Sequence, residues 1–228
     1  MVSITYLLAA ALLFASPFVA QSASTRDAFL KLIDRPRTPL APNITQLADT
    51  DGFEQFHFTY AADSRNRVPG ILIKPKSRVG RQAVVIALHG TGGNKEGQMS
   101  LLKQLAANGF IAVAIDGRYH GERTKAGSGS VEYNDAILRA YSTGDEHPFL
   151  YDTVWDAMRL IDYLVTRPDV DSASIGMIGT SKGGMETYLA AAVDHVSAWP
   201  FLASACKAFA GRSITSLGQR GHPPFRSL

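Results

Sequence analysis

The sequence is poor in cysteine and in clustered charge. Its single cysteine, Cys206, has no second thiol in the chain with which to form an internal disulfide. The 23 basic and 20 acidic side chains leave a formal net charge of +3, which is too small and too dispersed to favour nucleic acid as a partner. No Cys/His group has the close spacing of a zinc site. We therefore expect a protein that acts on a small molecule without a metal.

Nucleotide-binding signatures are also missing. The glycine-rich segments 90–93 and 179–184 lack the G-x-x-x-x-G-K-[ST] spacing of a phosphate-binding loop. Neither of them is a G-x-G-x-x-G following a strand, which is the dinucleotide fingerprint. A nucleotide-binding α/β domain is thus the hypothesis about function that the sequence favours least.

Acidic residues are absent from the last part of the chain. No Asp or Glu occurs between residues 195 and 228, whereas Arg212, Arg220 and Arg226 lie among Ser, Gly and Pro. Such a change of composition is unusual in a segment that should contribute to a core. We expect residues 205–228 to form an unstructured tail that is unrelated to the preceding domain.

The N-terminus has the pattern of a secretory signal. An apolar run begins at Ile4, is broken at Pro17 and is followed by small residues, so we expect residues 1–22 to be a cleaved signal peptide and the protein to be secreted. A retained membrane anchor is the alternative, but the run ends before the ~20 apolar residues that a spanning helix needs. Asn43-Ile44-Thr45 is a glycosylation sequon, which is relevant only in a eukaryotic secretory pathway.

Hydrophobic patterning over residues 24–204 predicts one domain of alternating strands and helices. Alternation at 53–60 indicates a half-buried strand, with 68–74 as its hairpin partner. Continuous apolar runs predict strands buried on both faces of a parallel sheet. The fold class is therefore α/β, with a doubly wound, mostly parallel sheet and an N-terminal hairpin. The buried strands are predicted at 83–88, 110–115 and 174–178, the helices at 24–33, 99–108, 153–165 and 183–193, and a last apolar run at 196–202. Residues 123–150 have no clear period and are predicted to be a loop or small lid.

The segment 179–184, with the sequence GTSKGG, has the form of a G-x-S-x-G nucleophile elbow. It follows a predicted buried strand and opens a predicted helix, which is the context that the motif requires. Gly179 and Gly183 remove side chains that would collide with the strained serine turn. Ser181 is therefore the predicted nucleophile, and a plain tight turn is the alternative.

A second glycine-rich turn, with the sequence HGTGGN from His89, follows the strand at 83–88. In hydrolases with a nucleophile elbow, a loop at this position supplies one oxyanion-hole N–H, and the residue after the nucleophile supplies the other. Thr91 and Lys182 are the predicted donors, with His89 and Gly90 shaping the turn. The Lys182 side chain is predicted to lie on the surface of the first helical turn.

These motifs resemble the α/β-hydrolase superfamily, and within it the dienelactone hydrolase, acetyl xylan esterase and prolyl-oligopeptidase-type catalytic domains. The resemblance extends over residues 53–194. It implies hydrolysis of small-molecule esters or of peptides by a Ser-His-Asp mechanism without a cofactor. The residues that carry it are 68–70, 89–93, 116–123 and 178–184.

The resemblance also implies an acid after a seventh strand and a histidine after an eighth, and this chain has no room for either strand. It looks like a hydrolase domain that is incomplete after the sixth strand. His120 and His222 are the weak candidates for a replacement base. Asp116, at a strand end, is predicted to pair with Arg118 or Arg123 instead of serving as the acid. A catalytically inactive hydrolase-like protein is therefore the alternative to a serine hydrolase.

Overall fold

The computed structural model describes residues 25–50, 52–125 and 129–193. The predicted signal peptide, the apolar run at 196–202 and the tail at 205–228 lie outside the described residues, as do His195 and His222. The chain divides into two compact units, Met1–Asp34 and Arg35–Leu228. The described part of the first unit contains helix α1, at 25–33, which confirms the predicted helix there.

Six strands of the second unit form one sheet in the order β1-β2-β3-β5-β4-β6. The first three strands pair as an antiparallel meander, and β3 is also antiparallel to β5. β4 pairs in parallel with both β5 and β6. The bounds are β1 Asn43–Gln46, β2 Phe53–Ala61, β3 Arg67–Pro75, β4 Gln82–Leu88, β5 Ile111–Ile115 and β6 Val170–Gly179.

The predicted α/β class and the N-terminal hairpin are confirmed, but the sheet is only partly parallel. Within the described residues, parallel pairing is confined to β4, β5 and β6. Hairpin connections force the meander to run antiparallel, whereas a helical crossover allows parallel neighbours. The short strand β1 was not predicted, because its four residues are all exposed and carry no burial pattern.

Four helices connect or follow the strands of this sheet. α2 packs on the face that carries Ile71, Ala87 and Ala112. β5 is buried along its whole length, so the opposite face must be covered as well. α4 and α5, which contact β2, β4 and β6, cover it. No helix in the described segments is long and apolar enough to cross a membrane. The bounds are α2 Met99–Ala107, α3 Gly129–Thr143, α4 Tyr151–Leu164 and α5 Lys182–Val193.

Helix α3 corrects the first of the two alternatives predicted for residues 123–150, a loop or a small lid, because part of this segment is helical. Its 15 residues include two buried side chains, Tyr133 and Ala136. Three large apolar side chains, Val131, Leu138 and Tyr141, are exposed instead. The less exposed residues Tyr133, Ala136, Ile137 and Ala140 have the i, i+3, i+4, i+7 spacing of one helix face, so the sequence does carry a helical period that the prediction missed.

Candidate active site

Ser181 lies in the tight turn between the end of β6 and the start of α5. Its φ is +53°, in the left-handed region that residues with a side chain rarely adopt. The side chain is exposed, whereas Gly179 and Gly183 on either side are buried. The turn therefore presents the serine hydroxyl to solvent at the carboxyl end of a parallel strand.

Glycine is required on both sides of Ser181 because the backbone doubles back on itself. A Cβ on Gly179 would lie 2.2 Å from the carbonyl group of Gly183. A Cβ on Gly183 would lie 2.4 Å from the carbonyl oxygen of Leu88, at the end of the neighbouring strand β4. The two glycines thus allow the turn to close and the helix to approach the sheet.

The glycine-rich segment 89–93 lies beside Ser181. Leu88 pairs with Gly179, and the Thr180 N–H donates a 3.2 Å hydrogen bond to the Leu88 carbonyl oxygen. A Cβ on Gly90 would lie 3.5 Å from the Cβ of Ser181. The two predicted motifs therefore meet at one end of β4 and β6.

The predicted oxyanion donors occupy this junction. Thr91 is exposed within segment 89–93, and Lys182 is the first residue of α5. In the described part of the chain, neither the Thr91 N–H nor the Lys182 N–H has a hydrogen-bond acceptor. Both N–H groups can therefore donate to a bound molecule.

The side chain of Lys182 is buried, contrary to the prediction that it lies on the surface. It is 1 % exposed, and its Nζ donates a 2.7 Å hydrogen bond to Oε1 of the equally buried Glu186, one turn further along α5. The ammonium also lies 5.7 Å from the centre of the Tyr133 ring. Burial raises the pKa of Glu186, and the positive charge of Lys182 opposes that rise. A lysine in the first turn of a helix gives no sequence signal of such burial.

The carboxylate of Asp116, at the end of β5, does not pair with the arginines predicted for it, although Arg123 donates a 3.1 Å hydrogen bond to the Asp116 backbone carbonyl oxygen. Its carboxylate accepts hydrogen bonds from the backbone N–H and the Nζ of the fully buried Lys95, each at 2.8 Å. Arg118 and Arg123 instead bind the buried carboxylate of Asp156 on α4. Burial alone would raise the pKa of Asp156, but the two guanidinium groups outweigh it and lower that pKa. Nearness in the sequence suggested the wrong partners for the Asp116 carboxylate. The side chains that bind the carboxylates of Asp116 and Asp156 come from segments more than 20 residues away in the chain.

Four of the six histidines are described, and three of these have ring nitrogens in polar contacts. His89 and His120 have both ring nitrogens in hydrogen bonds to backbone groups. His57 contacts Glu122 at 2.8 Å, and His147 lies in an exposed loop. His120, a candidate base, thus has no free nitrogen to accept a proton from serine. Within the described residues, no group of His, Cys, Asp and Glu side chains could hold a metal ion.

Proteins with similar sequences and structures include esterases. The chain is 27% identical over 179 residues to the acetyl esterase Axe7A of Xylanibacter ruminicola, and the match covers 74% of this chain and 40% of that protein. The acetyl xylan esterase of Paenibacillus sp. R4 superposes with a TM-score of 0.56 at 23% identity, over 75% of this chain and 54% of that one. Acetyl xylan esterase 1 of Thermoanaerobacterium sp. gives a TM-score of 0.57 at 20% identity, over 75% and 55%.

The two solved structures share the fold with the chain. The chain spans about half of the length of each of them and 40% of the length of the acetyl esterase. A family comparison is more specific. The sequence model of the acetyl xylan esterase (AXE1) family matches residues 39–209, which include all six strands, segment 89–93 and the Ser181 turn. The chain therefore belongs to the acetyl xylan esterase (AXE1) family.

Proposed function

We propose that this chain carries the nucleophile and the oxyanion-binding groups of a carboxylic ester hydrolase, with Ser181 as the nucleophile. The observation that carries the proposal is the left-handed conformation of Ser181, at φ +53°, between a parallel strand and a helix. A left-handed backbone conformation at a non-glycine residue lowers the stability of the fold, and such strained residues are concentrated at functional sites. Such a turn projects Oγ above the sheet and beside the free N–H groups of a helix N-terminus.

The proposed reaction begins with attack of the Ser181 Oγ on the ester carbonyl carbon. The carbonyl oxygen becomes an oxyanion that the N–H groups of Thr91 and Lys182 stabilise. The proton released from Ser181 passes through the base to the leaving oxygen, so that collapse of the tetrahedral intermediate releases the alcohol and leaves an acyl-serine. Water then hydrolyses the acyl-serine, which releases the acid and restores the serine hydroxyl. His89 and His120 are engaged with the backbone, so neither is the proposed base. His222 is the first candidate for that role within this chain.

We propose an acetyl ester as the substrate class. The support is membership of the acetyl xylan esterase (AXE1) family and the similarity to the acetyl esterase Axe7A. The neutral oxyanion donors fit any carboxylic ester, so the size of the acyl group must be decided by the surroundings of Ser181. We also propose that the protein is secreted, on the basis of the apolar run that begins at Ile4. N-terminal sequencing of protein recovered from the medium would test the secretion.

Hydrolysis of p-nitrophenyl acetate by the 228-residue protein tests the proposed function. We expect turnover that Ser181→Ala reduces by at least ~10³-fold, because the nucleophile is lost. Ser172→Ala is the matched control, since Ser172 is an exposed serine at the other end of β6, and it should retain the wild-type rate.

The alternative is an inactive protein that has kept the turn and lost the base. It is favoured if the wild type turns over no faster than Ser181→Ala. If Ser181→Ala hydrolyses the ester as fast as the wild type while both are active, another group is the nucleophile and the proposal is wrong.

A further inference from the structure

Two buried histidines join the loops that follow β4 and β5. His89, in the first loop, accepts a 3.0 Å hydrogen bond at Nε2 from the N–H of Gly117 in the second. His120, in the second loop, accepts a 3.0 Å hydrogen bond at Nε2 from the N–H of Gly92 in the first. Their ring centres lie 4.9 Å apart. Each loop thus supplies one imidazole and one N–H to the other.

The partners of the two rings determine where the protons lie. A backbone N–H can only donate, so Nε2 of each ring must be unprotonated. Nδ1 of His89 lies 2.8 Å from the carbonyl oxygen of its neighbour Gly90, and Nδ1 of His120 lies 2.6 Å from that of Arg118. A carbonyl oxygen can only accept, so Nδ1 of each ring carries the proton. Both histidines are therefore neutral Nδ1–H tautomers.

The hydrogen bond from His89 fixes one particular peptide plane. The Gly90 carbonyl and the Thr91 N–H belong to the same planar trans peptide, so they point in opposite directions. The Gly90 oxygen accepts from His89 Nδ1 at 2.8 Å and from the Gly93 N–H at 3.0 Å. Holding this oxygen determines the direction of the Thr91 N–H, and a flip of the peptide would turn a carbonyl oxygen toward the oxyanion.

The peptide on the other side of Thr91 is held as well. Its N–H belongs to Gly92 and donates to His120. Thr91 therefore lies between two peptides, one fixed by each histidine. The proposed oxyanion donor owes its orientation to side chains from both loops.

The surroundings of the pair favour the neutral rings. His89 and His120 are 3 % and 0 % exposed, and the Tyr133 ring packs on His120 at 4.9 Å. The charged groups around them are Lys182 and Arg123, which oppose protonation, and Asp116, which favours it. Burial is the main cause that lowers the pKa of His89, to about 4, and it also lowers the pKa of His120.

We propose that His89 and His120 are positioning residues that hold the Thr91 N–H toward the oxyanion. The inference rests on the proposed function, because it assigns the two histidines a part in the same ester hydrolysis. Neither residue touches substrate. Both act through the Gly90–Thr91–Gly92 backbone.

Kinetics of p-nitrophenyl acetate hydrolysis by full-chain variants test the proposal. His89→Ala should lower kcat about 10²-fold, as for loss of an oxyanion donor, and change KM less than about threefold, because the donor binds the transition state. His89→Asn should recover at least about tenfold of that loss, since its amide N–H can still donate to the Gly90 oxygen. The kcat of His120→Gln should likewise exceed that of His120→Ala, because the glutamine amide oxygen can accept a hydrogen bond from the Gly92 N–H.

His147→Ala is the control, because His147 is an exposed loop histidine outside the two loops, and it should keep the wild-type kcat. Two-bond ¹H–¹⁵N spectra of histidine-labelled wild type at pH 7 should show both buried rings as neutral Nδ1–H tautomers. Thermal melting identifies a variant that unfolds. If an alanine variant unfolds, the kcat values of the folded His89→Asn and His120→Gln variants are compared with that of the wild type.

Two outcomes would overturn the inference alone: an active wild type whose kcat survives His89→Ala, or a ring that is charged or protonated at Nε2. A wild type no faster than Ser181→Ala would overturn the proposed function, and this inference with it.

Discussion

At the scale of single residues, Lys182 shows how tertiary burial overrides residue type. A lysine at an exposed helix start is normally solvated, yet the first turn of α5 packs so closely that Nζ lies 3.1 Å from where a Cβ on Gly117 would be. Its charge is matched by Glu186 within the same helix. The i, i+4 spacing of this pair is visible in the sequence, but its burial is not.

The buried Lys182–Glu186 pair should contribute to the stability of the folded state. Lys182→Met leaves the Glu186 carboxylate buried without its cation, so the free energy of unfolding should fall by about 3 kcal/mol. The pKa of Glu186 is already raised, and loss of Lys182 raises it further. The folded state then holds more protons than the unfolded state, so the loss should be larger at pH 8 than at pH 5.

Urea unfolding at the two pH values measures this effect. The matched double variant Lys182→Met/Glu186→Leu removes both charges and should be more stable than Lys182→Met alone. A double variant less stable than the single one would show that the pair does not carry the effect.

At the scale of elements, the turn between β6 and α5 was predictable because its constraints are local. A serine between two glycines, after an apolar run and before a helix, restricts the backbone to few conformations. Helix α3 was missed although Tyr133, Ala136 and Ile137 have helical spacing. Exposed apolar residues such as Val131 and Leu138 lie among them and make this face less distinct. The polar partners of Asp116 and Asp156 come from other elements, so chain order could not identify them.

Gly183→Ala tests the close approach of α5 to the sheet. Alanine normally favours a helix over glycine by ~1 kcal/mol. Here the added methyl group would meet backbone, 2.4 Å from the Leu88 oxygen and 2.7 Å from the His89 oxygen, so the elements must move apart. We expect a net destabilisation of about 1–3 kcal/mol by thermal or urea unfolding, with loss of esterase activity.

Gly97→Ala is the matched control, since its methyl group would meet only the Asn94 side chain, at 3.3 Å. Its stability should stay close to that of the wild type. If Gly183→Ala is as stable as Gly97→Ala, α5 does not approach β4 as closely as described.

At the scale of the whole molecule, the sequence predicted the class of fold and the meeting of two glycine-rich motifs, since both follow from the order of elements. It did not predict the joining of the two loops by His89 and His120. Those contacts link residues 28 positions apart in chain order and depend on the parallel pairing of β4 and β5. The extent of antiparallel pairing was also underestimated, because β1 carries no burial pattern.

The buried histidines predict how the stability of the whole domain depends on pH. The ordinary His pKa is 6.5, and burial lowers that of His89 to about 4. Between these values the unfolded chain takes up a proton that the folded chain does not, so stability falls as pH falls. From pH 7 to pH 5, we expect His89 alone to lower the free energy of unfolding by roughly 2 kcal/mol. Asp156, with its lowered pKa, adds a loss only near or below pH 3.8.

Urea unfolding of the wild type and of His89→Asn/His120→Gln at pH 5 and pH 7 checks this dependence. Glu186 has a raised pKa and acts in the opposite direction in both proteins, so the difference between them isolates the histidines. The variant should therefore lose less stability than the wild type on going from pH 7 to pH 5. Equal slopes in the two proteins would contradict neutral buried rings.

Labelling of the intact protein with a fluorophosphonate, followed by mass measurement and peptide mapping, tests directly whether Ser181 is an activated nucleophile. The probe phosphonylates a serine only when its hydroxyl is activated as a nucleophile. We predict one added phosphonyl group, located on Ser181 and absent from Ser181→Ala. Failure of the wild type to react, or a label that persists in Ser181→Ala, would contradict it.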